Sequence, residues 1–365
     1  MTSARELRPH LTNAFFAQDR ISAACDPDVV GAPQAPGIYA DPWYGNAWSW
    51  TPPPGAAVYG RTGSLPPTPI EESGNGTFLR VPYRRVPYVD IRSPAELVRF
   101  AEQVQSKNPD VRGVWRGQWR EYQLERTDDD RSRLYGDVSV SEPSLRPSAS
   151  RETRPFPSIF GAWSGLLDLW IAERVATVAA AHSSRADYVR DLTASFSGGY
   201  NYRLWGLATA QHYGLPSVGL DVTTDILVAL YFALHKAQVS KATGGLTVER
   251  ADRSATPVIY GLAPFKHDLL EDAKLAPAWL QCARPQAQKA FFFGTAWGAA
   301  SNKAADRLWV ALRLVGHADW ISPLTAGDVF PNGLDDPFVA FMIGMRGKTR
   351  HPVAEELLSR IYFRP

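Results

Sequence analysis

From about residue 90 onward the apolar positions fall into helical and strand periods; before that they are scattered among prolines and glycines. Ser93-Pro94-Ala95-Glu96 offers an N-cap, a proline at the first helical position and a carboxylate at the third, after which Leu97, Phe100 and Val104 share one helical face. Gly113 to Trp119 reads as a short strand and the charged run Arg126 to Arg133 as an exposed loop. Residues 160 to 185, with Trp163, Leu166, Leu167, Leu169 and Trp170, predict a long helix, and Tyr202 to Tyr213 a second one stopped by Gly214 and Pro216. Ser217 to Val222 predicts a strand that leads into a buried helix over Asp225 to Val239. Pro257 to Leu262 and Arg307 to Val315 are further predicted strands, and Val353 to Tyr362 a closing helix. Helices and strands are interspersed without a regular βαβ rhythm, a heptad or an internal repeat. The expected class is therefore α+β, a mixed sheet with packed helices.

The first 88 residues are set apart by their pattern. After a short helix predicted near Leu7 to Ile21, the stretch Ala32 to Pro69 is dense in proline and glycine and carries Trp43, Tyr44, Trp48 and Trp50. Proline at that density excludes regular helix and central strand. Two readings stand: an arm whose aromatics dock into grooves of the main domain, or a segment that binds a partner protein. The aromatic content is too high for free disorder and favours the first. The expected division is an N-terminal extension over 1–88, a main domain over 89–345 and a C-terminal helix within 346–365.

Composition narrows the classes of function. Lys and Arg number 39 against 37 Asp and Glu, a balance that does not announce nucleic-acid binding; a local basic groove would draw on Arg80 to Arg85 and Val111 to Arg120. Two distant cysteines, Cys25 and Cys282, make neither a disulfide framework nor a cysteine zinc site. The sequence opens without a secretory-signal pattern, and its longest apolar runs, such as Ile226 to Leu234, are too short for a bilayer, so a cytoplasmic setting without membrane association is expected. Gly-x-Ser-x-Gly, His-Glu-x-x-His and P-loop signatures are missing from the sequence.

Three segments put polar residues where a pure core would not. In Trp115-Arg116-Gly117-Gln118 a strand arginine is held between aromatics, with a donor fork suited to phosphate or carboxylate, and the glycine permits close approach of a backbone or a ligand. An arginine paired to an acidic neighbour is the alternative reading. Gln211 to Thr224 groups Gln211, His212 and Tyr213 before a Gly-Leu-Pro turn and a strand that ends in Asp221, Thr223 and Thr224. The apolar run that follows anchors this cluster to the core. Asp221 or Thr223 could equally cap the next helix, and His212 could be a structural histidine. In the third segment, Arg284 to Phe292, Arg284 and Gln288 precede an apolar strand.

In this order the segments resemble the FRG domain, a bacterial family named for a Phe-Arg-Gly motif that appears here as Trp115-Arg116-Gly117. The resemblance runs from about residue 90 to 340 and includes Tyr122-Gln123-Leu124, Leu145-Arg146-Pro147-Ser148, Gln211 to Ala233, Arg284 with Gln288 and Phe291, and Phe330-Pro331-Asn332. Two departures stand out: Ser217-Val218-Gly219 replaces a Thr-Arg-Leu and so lacks its cation, and Ala290 stands where a glycine is usual.

The order of an arginine strand, a Ser/Thr strand leading into an apolar helix, and a late Gln or Glu is also similar to ADP-ribosyltransferases. That likeness implies an ADP-ribosyltransferase-like fold and NAD as substrate, without a metal. By it Arg116 clamps the pyrophosphate, Gln118, Gln211, Tyr213, Thr223 and Thr224 line the cofactor site, and His212, Asp221 and Gln288 form the catalytic group. Gln288 stands in place of the usual Glu, with Asp221, Glu142 and Glu152 as further carboxylates. The acceptor would be a macromolecule or water, and a toxin or defence role fits such an enzyme. A nucleotide- or nucleic-acid-binding module, using Arg116, Arg120 and the tryptophans, and a non-catalytic interaction scaffold are the alternatives.

Overall fold

The structure, a computed structural model, describes residues 39–41, 43, 46–48, 78–81, 84–107, 109, 113–135, 138–181, 187, 191, 194, 196, 200–240, 244–264, 269–294 and 302–363. The helix expected near residues 7–21 and most of the proline-rich stretch lie outside them. The strands are β1 (Tyr39–Asp41), β2 (Asn46–Trp48), β3 (Phe78–Val81), β4 (Arg84–Ile91), β5 (Val114–Gln118), β6 (Gly219–Thr223), β7 (His235–Val239), β8 (Leu246–Arg250), β9 (Val258–Leu262), β10 (Leu269–Glu271), β11 (Ala290–Gly294) and β12 (Leu308–Leu314). The helices are α1 (Pro94–Lys107), α2 (Asp128–Tyr135), α3 (Phe156–Ala181), α4 (Tyr200–His212), α5 (Ile226–Leu234), α6 (Asp272–Leu275), α7 (Arg284–Ala287), α8 (Ala326–Val329), α9 (Pro337–Gly344) and α10 (Pro352–Ser359).

Eight strands form the main sheet in the order β10-β11-β6-β5-β9-β12-β4-β3. Its pairs are antiparallel except β12 with β4, so the fold is α+β with a mixed sheet. Side chains alternate between two faces. On one face Val114, Leu220, Val222, Tyr260, Phe291 and Phe293 share a core with Leu124 and Leu145. On β5, β9 and β12, Trp115, Ile259 and Val310 instead meet α1 and α5. On β11, Phe292 joins the helical core of α3, α4, α9 and α10, where Trp163, Trp170, Trp205 and Tyr213 are fully buried.

The local signals explain these elements. Ser93 Oγ accepts from the Glu96 N–H at 3.1 Å and Glu96 accepts from the Arg92 N–H at 2.7 Å, so the start of α1 is tied from both sides as its sequence suggests. Gly214 ends α4 with φ +89, and a Cβ there would lie 2.7 Å from the Tyr362 ring. Asp225, not Asp221 or Thr223, caps α5 by accepting from the Leu227 N–H at 2.8 Å.

Two expectations are corrected. The helix over Asp225 to Val239 stops at Leu234, and His235–Val239 is strand β7 paired with β8. The apolar run ends at Leu234; a longer helix would bury nothing further, whereas the hairpin satisfies the backbone. Arg126 to Arg133 is not a loop, because Thr127 accepts from the Asp130 N–H and three aspartates occupy the first turn of α2. Nor is it exposed throughout: Arg126 is buried in an ion pair with Glu142. Of the N-terminal aromatics, Trp43 lies on the main domain, where its carbonyl accepts from the Asn302 N–H at 2.7 Å and its ring carries the Arg146 guanidinium at 4.9 Å. Among the described residues no helix is long and apolar enough to cross a membrane.

Candidate functional site

The site begins as an opening in the sheet. β5 pairs with β9 over all five of its residues but with β6 only at Trp115↔Thr223. Beyond that pair the two strands part, and the Asp221 carbonyl, which a continued ladder would have used, accepts from Arg116 Nη1 at 2.7 Å. The divergence leaves a cavity of about 290 Å³, lined by both strands, the end of α4, the start of β7 and Gln288.

His212, at the end of α4, is the centre of the buried polar group. Gln288 donates through Nε2 to the Val329 carbonyl at 3.1 Å, so its Oε1 is left to accept from His212 Nδ1 at 2.8 Å. The other ring nitrogen, Nε2, meets Asp272 Oδ2 and lies 3.4 Å from Asp221 Oδ1. An N–H at each nitrogen makes this ring an imidazolium. Burial works against the charge, but Asp221, Asp272 and the Gln288 carbonyl outweigh it and raise the pKa to about 9. Asp221 is raised to about 6, chiefly by burial and then by Asp272, with His212 and Arg116 offsetting part of the rise. Arg116 and His212 thus balance Asp221 and Asp272; His212 and Asp272 are buried, while Arg116 and Asp221 are half-buried at the cavity wall. One ligand atom each from His212, Asp221 and Asp272 lies within 4.8 Å of the others, a set a divalent cation could use only in place of the Nε2 proton.

Several polar groups on the cavity are left to serve something else. Arg116 Nε, Gln118 Oε1 and Gln211 Nε2 are buried without a hydrogen-bond partner, and all three residues line the cavity. Buried polar atoms are rarely left unpaired in native structures, so such a concentration points to a ligand. Arg151 lines the same cavity with no hydrogen bond or ion pair among the described residues. The Arg116 guanidinium is depressed first by burial and also by Arg151, and Arg146 is depressed by burial and again by Arg151. Arg151 is therefore close enough to repel both Arg116 and Arg146. Trp119, Tyr122, Phe232, Phe330 and Tyr362 supply the apolar wall.

Of the sequence-predicted residues, Arg116, Gln118, Gln211, His212, Asp221, Thr223 and Gln288 converge on this cavity. Thr223 is turned to structural use: its hydroxyl donates to the Gln288 carbonyl at 2.9 Å and accepts from the Asp225 N–H at 3.0 Å. Tyr213 and Thr224 are not on the cavity. Tyr213 is buried in the helical core and donates to Asp336 at 2.8 Å, and Thr224 is exposed. Glu142 and Glu152 are also elsewhere, paired with Arg126 and Arg360. Sequence reasoning missed Asp272 and Arg151. Each sits in a polar run, Glu271-Asp272-Ala273-Lys274 and Arg151-Glu152-Thr153-Arg154, with the look of ordinary surface. The Gly219 departure has a local cause, since a Cβ there would fall 2.2 Å from the Phe292 ring.

No curated protein and no solved structure matches the chain. The FRG domain family model matches residues 135–242, which cover Leu145-Arg146-Pro147-Ser148 and Gln211 to Ala233 but not Arg116, Asp272 or Gln288. That segment of the chain is therefore similar to the FRG domain.

Proposed function

We propose that the cavity binds NAD, cleaves its nicotinamide–ribose bond and passes ADP-ribose to a macromolecular acceptor or to water. The observation that carries this reading is the meeting of two mutually repelling guanidinium groups, Arg116 and Arg151, with an ionisable carboxylate in one aromatic-walled opening. Arg151 has no acidic partner among the described residues and Arg116 shares Asp221 with His212, so a pyrophosphate would relieve the repulsion between the two guanidinium groups. A cavity of about 290 Å³ is near the lower limit for small-molecule sites, sized for one mononucleotide half with the other on the open rim.

Asp221 is then the group placed to act on the reacting atoms. With a pKa of about 6 it is mostly ionised at neutral pH and offers negative charge to an oxocarbenium-like ribose. The C1′–N bond breaks with its electron pair passing to the nicotinamide ring nitrogen. The acceptor oxygen or nitrogen then bonds to C1′ and gives up its proton, for which Asp221 is a base within the site. His212 is a positioning residue: Gln288 and Asp272 fix its ring, and its charge holds the Asp221 carboxylate in place. Both polar ends of the Gln288 side chain are engaged, so it works through His212 and not on the ribose.

The test is incubation with NAD, following nicotinamide release by chromatography and ADP-ribose binding by calorimetry. Wild type should do both. Arg116→Ala should lose binding, and Asp221→Asn should keep binding while losing roughly 10²–10³-fold in rate, the scale for removing one electrostatic contact to a transition state. Binding without release in any acceptor mixture would make the protein a nucleotide-binding module. The absence of both binding and release would overturn the proposal.

A further inference from the structure

The hairpin of β7 and β8 carries backbone groups that the fold leaves unused. Its register runs from His235↔Arg250 to Val239↔Leu246. Just beyond its two ends the Ser240 N–H donates to the Gly245 carbonyl at 2.8 Å, and the Ala251 N–H to the Leu234 carbonyl at 2.8 Å. Hydrogen-bonded and non-bonded pairs alternate in an antiparallel ladder, so Leu234, Lys236, Gln238 and Ser240 turn their backbone groups toward β8. Ala237 and Val239 therefore turn theirs outward, and among the described residues neither meets a hydrogen-bond partner there.

That outer edge lies in a groove of about 570 Å³, lined by Ala237, Gln238, Val239 and Ser240 and walled by Arg360 and Tyr362. Side chains of a strand alternate between faces, so four consecutive residues on one groove present the edge of β7 and not a face. Exposed edges are ordinarily protected by charge, proline or a bulge; Ala237-Gln238-Val239-Ser240 has none of these. Arg360 is engaged by Glu152 and Glu356, which leaves the groove without a free cation to select an anion. Gly214, Ala237 and Tyr362 line both this groove and the main cavity, so the edge leads from one into the other.

We propose that the outer edge of β7 binds an extended segment of a partner protein as a third strand of the hairpin. The Ala237 and Val239 N–H groups donate to carbonyls of the segment, and their carbonyls accept from its N–H groups. The walls at Arg360 and Tyr362 admit a single strand, whereas the hairpin of a second copy would bring its whole sheet against them. At the Ala237 end a side chain of the bound strand is brought to the main cavity. That this strand is then the acceptor rests on the transfer reading above; the docking itself does not.

The experiment is ¹H–¹⁵N spectroscopy of the full chain without NAD, so its outcome is separate from that of the nicotinamide-release assay. The probe is the neutral peptide acetyl-Thr-Val-Thr-Val-Thr-Val-Thr-amide. It should shift the Ala237 and Val239 amide signals saturably, and more than those of Lys236 and Gln238. The same peptide N-methylated at every residue keeps its side chains and loses its donors, and should bind roughly tenfold or more weakly, the scale of two lost hydrogen bonds. Val239→Pro removes one outward N–H and no bond to β8, a change that strand edges tolerate, and should weaken binding roughly fivefold. Should that variant not fold, the methylated peptide decides alone. No saturable shift, equal affinity for the methylated peptide, or a folded Val239→Pro that binds as wild type would overturn the proposal. So would a dimer in sedimentation whose formation moves the same two amides, which would assign the edge to a second copy.

Discussion

Replacing Gly117 by alanine should damage the protein more than most core substitutions, because the glycine is where β5 rests on the backbone of α5. A Cβ at Gly117 would lie 1.8 Å from the Ala229 carbonyl oxygen, 2.8 Å from its carbon and 2.8 Å from the Ala233 nitrogen. To reach 3.0 Å, the lower limit that real Cβ contacts show, strand and helix must separate by about 1.2 Å from the 1.8 Å they would otherwise leave. No side chain can swing aside, as each of these atoms is helix backbone. The helix itself is held by buried Val228, Ala229, Leu230, Tyr231, Ala233 and Leu234. Overpacking that flexible side chains absorb costs about 1–3 kcal/mol, so a clash against a buried helix should cost about 3 kcal/mol or more. The natural control is Gly161 in α3, where a Cβ meets nothing within 4 Å. Gly161→Ala should be stabilising by about 0.5–1 kcal/mol, the difference between the two residues in a helix interior. Urea unfolding followed by circular dichroism compares the three proteins directly. A Gly117→Ala variant within about 1 kcal/mol of wild type would refute the close approach. Where the variant folds, Arg116 should have moved from the Asp221 carbonyl it now meets at 2.7 Å, and ligand binding should weaken with stability.

Two further predictions concern buried charge. His212 has a folded pKa of about 9 against an ordinary 6.5, so its contribution is complete below pH 6.5 and lost as pH rises through 9. Asp221, raised from 3.8 to about 6, has the same sign in the lower window, and its contribution fades between those values. The melting temperature of wild type should therefore fall between pH 6.5 and 9.5, and His212→Gln should be flat there; a wild-type melting temperature that rises across this window would contradict the imidazolium. The Arg126–Glu142 pair has side chains 1% and 2% exposed. Glu142→Gln should cost about 3–5 kcal/mol by stranding the guanidinium, and Arg126→Met with Glu142→Leu should recover most of it; equal losses in both variants, measured by urea unfolding, would show that the cost is not one of unpaired charge.

Where the pattern was local, the sequence was readable. The start of α1 follows from Ser93, Pro94 and Glu96, whose bonds all lie within five residues. The stop at Gly214 follows from a backbone angle that favours glycine. Gly117 could be read as a point of close approach, though not whether a backbone or a ligand would arrive there. Boundaries set by tertiary pairing were misread: β7 exists because β8 lies beside it, and nothing within His235–Val239 announces that. Asp272 and Arg151 were beyond reach for the same reason. A carboxylate at the start of a four-residue helix is ordinary surface until α4 lays His212 over it. Arg151 follows Leu145-Arg146-Pro147-Ser148, and its place depends on Ser148 accepting from the Ser217 N–H at 2.9 Å, a contact across 69 positions.

The density of polar residues between Gln211 and Asp225 has a double origin, and separating the two sharpens what such a cluster means. Some of these residues close the fold around the opening: Tyr213 reaches Asp336, Thr223 ties β6 to the Gln288 turn, and Asp225 caps α5. Others face the opening, and they are Gln211, His212 and Asp221. A gap between two strands leaves backbone and side-chain groups that must be met from nearby, so polar residues accumulate wherever a sheet is parted, whether or not each one meets a ligand. Density in sequence therefore locates the break. What separates the two kinds of residue is whether a polar atom has already been met: the Thr223 hydroxyl donates to the Gln288 carbonyl and accepts from the Asp225 N–H, while Gln211 Nε2 has no partner.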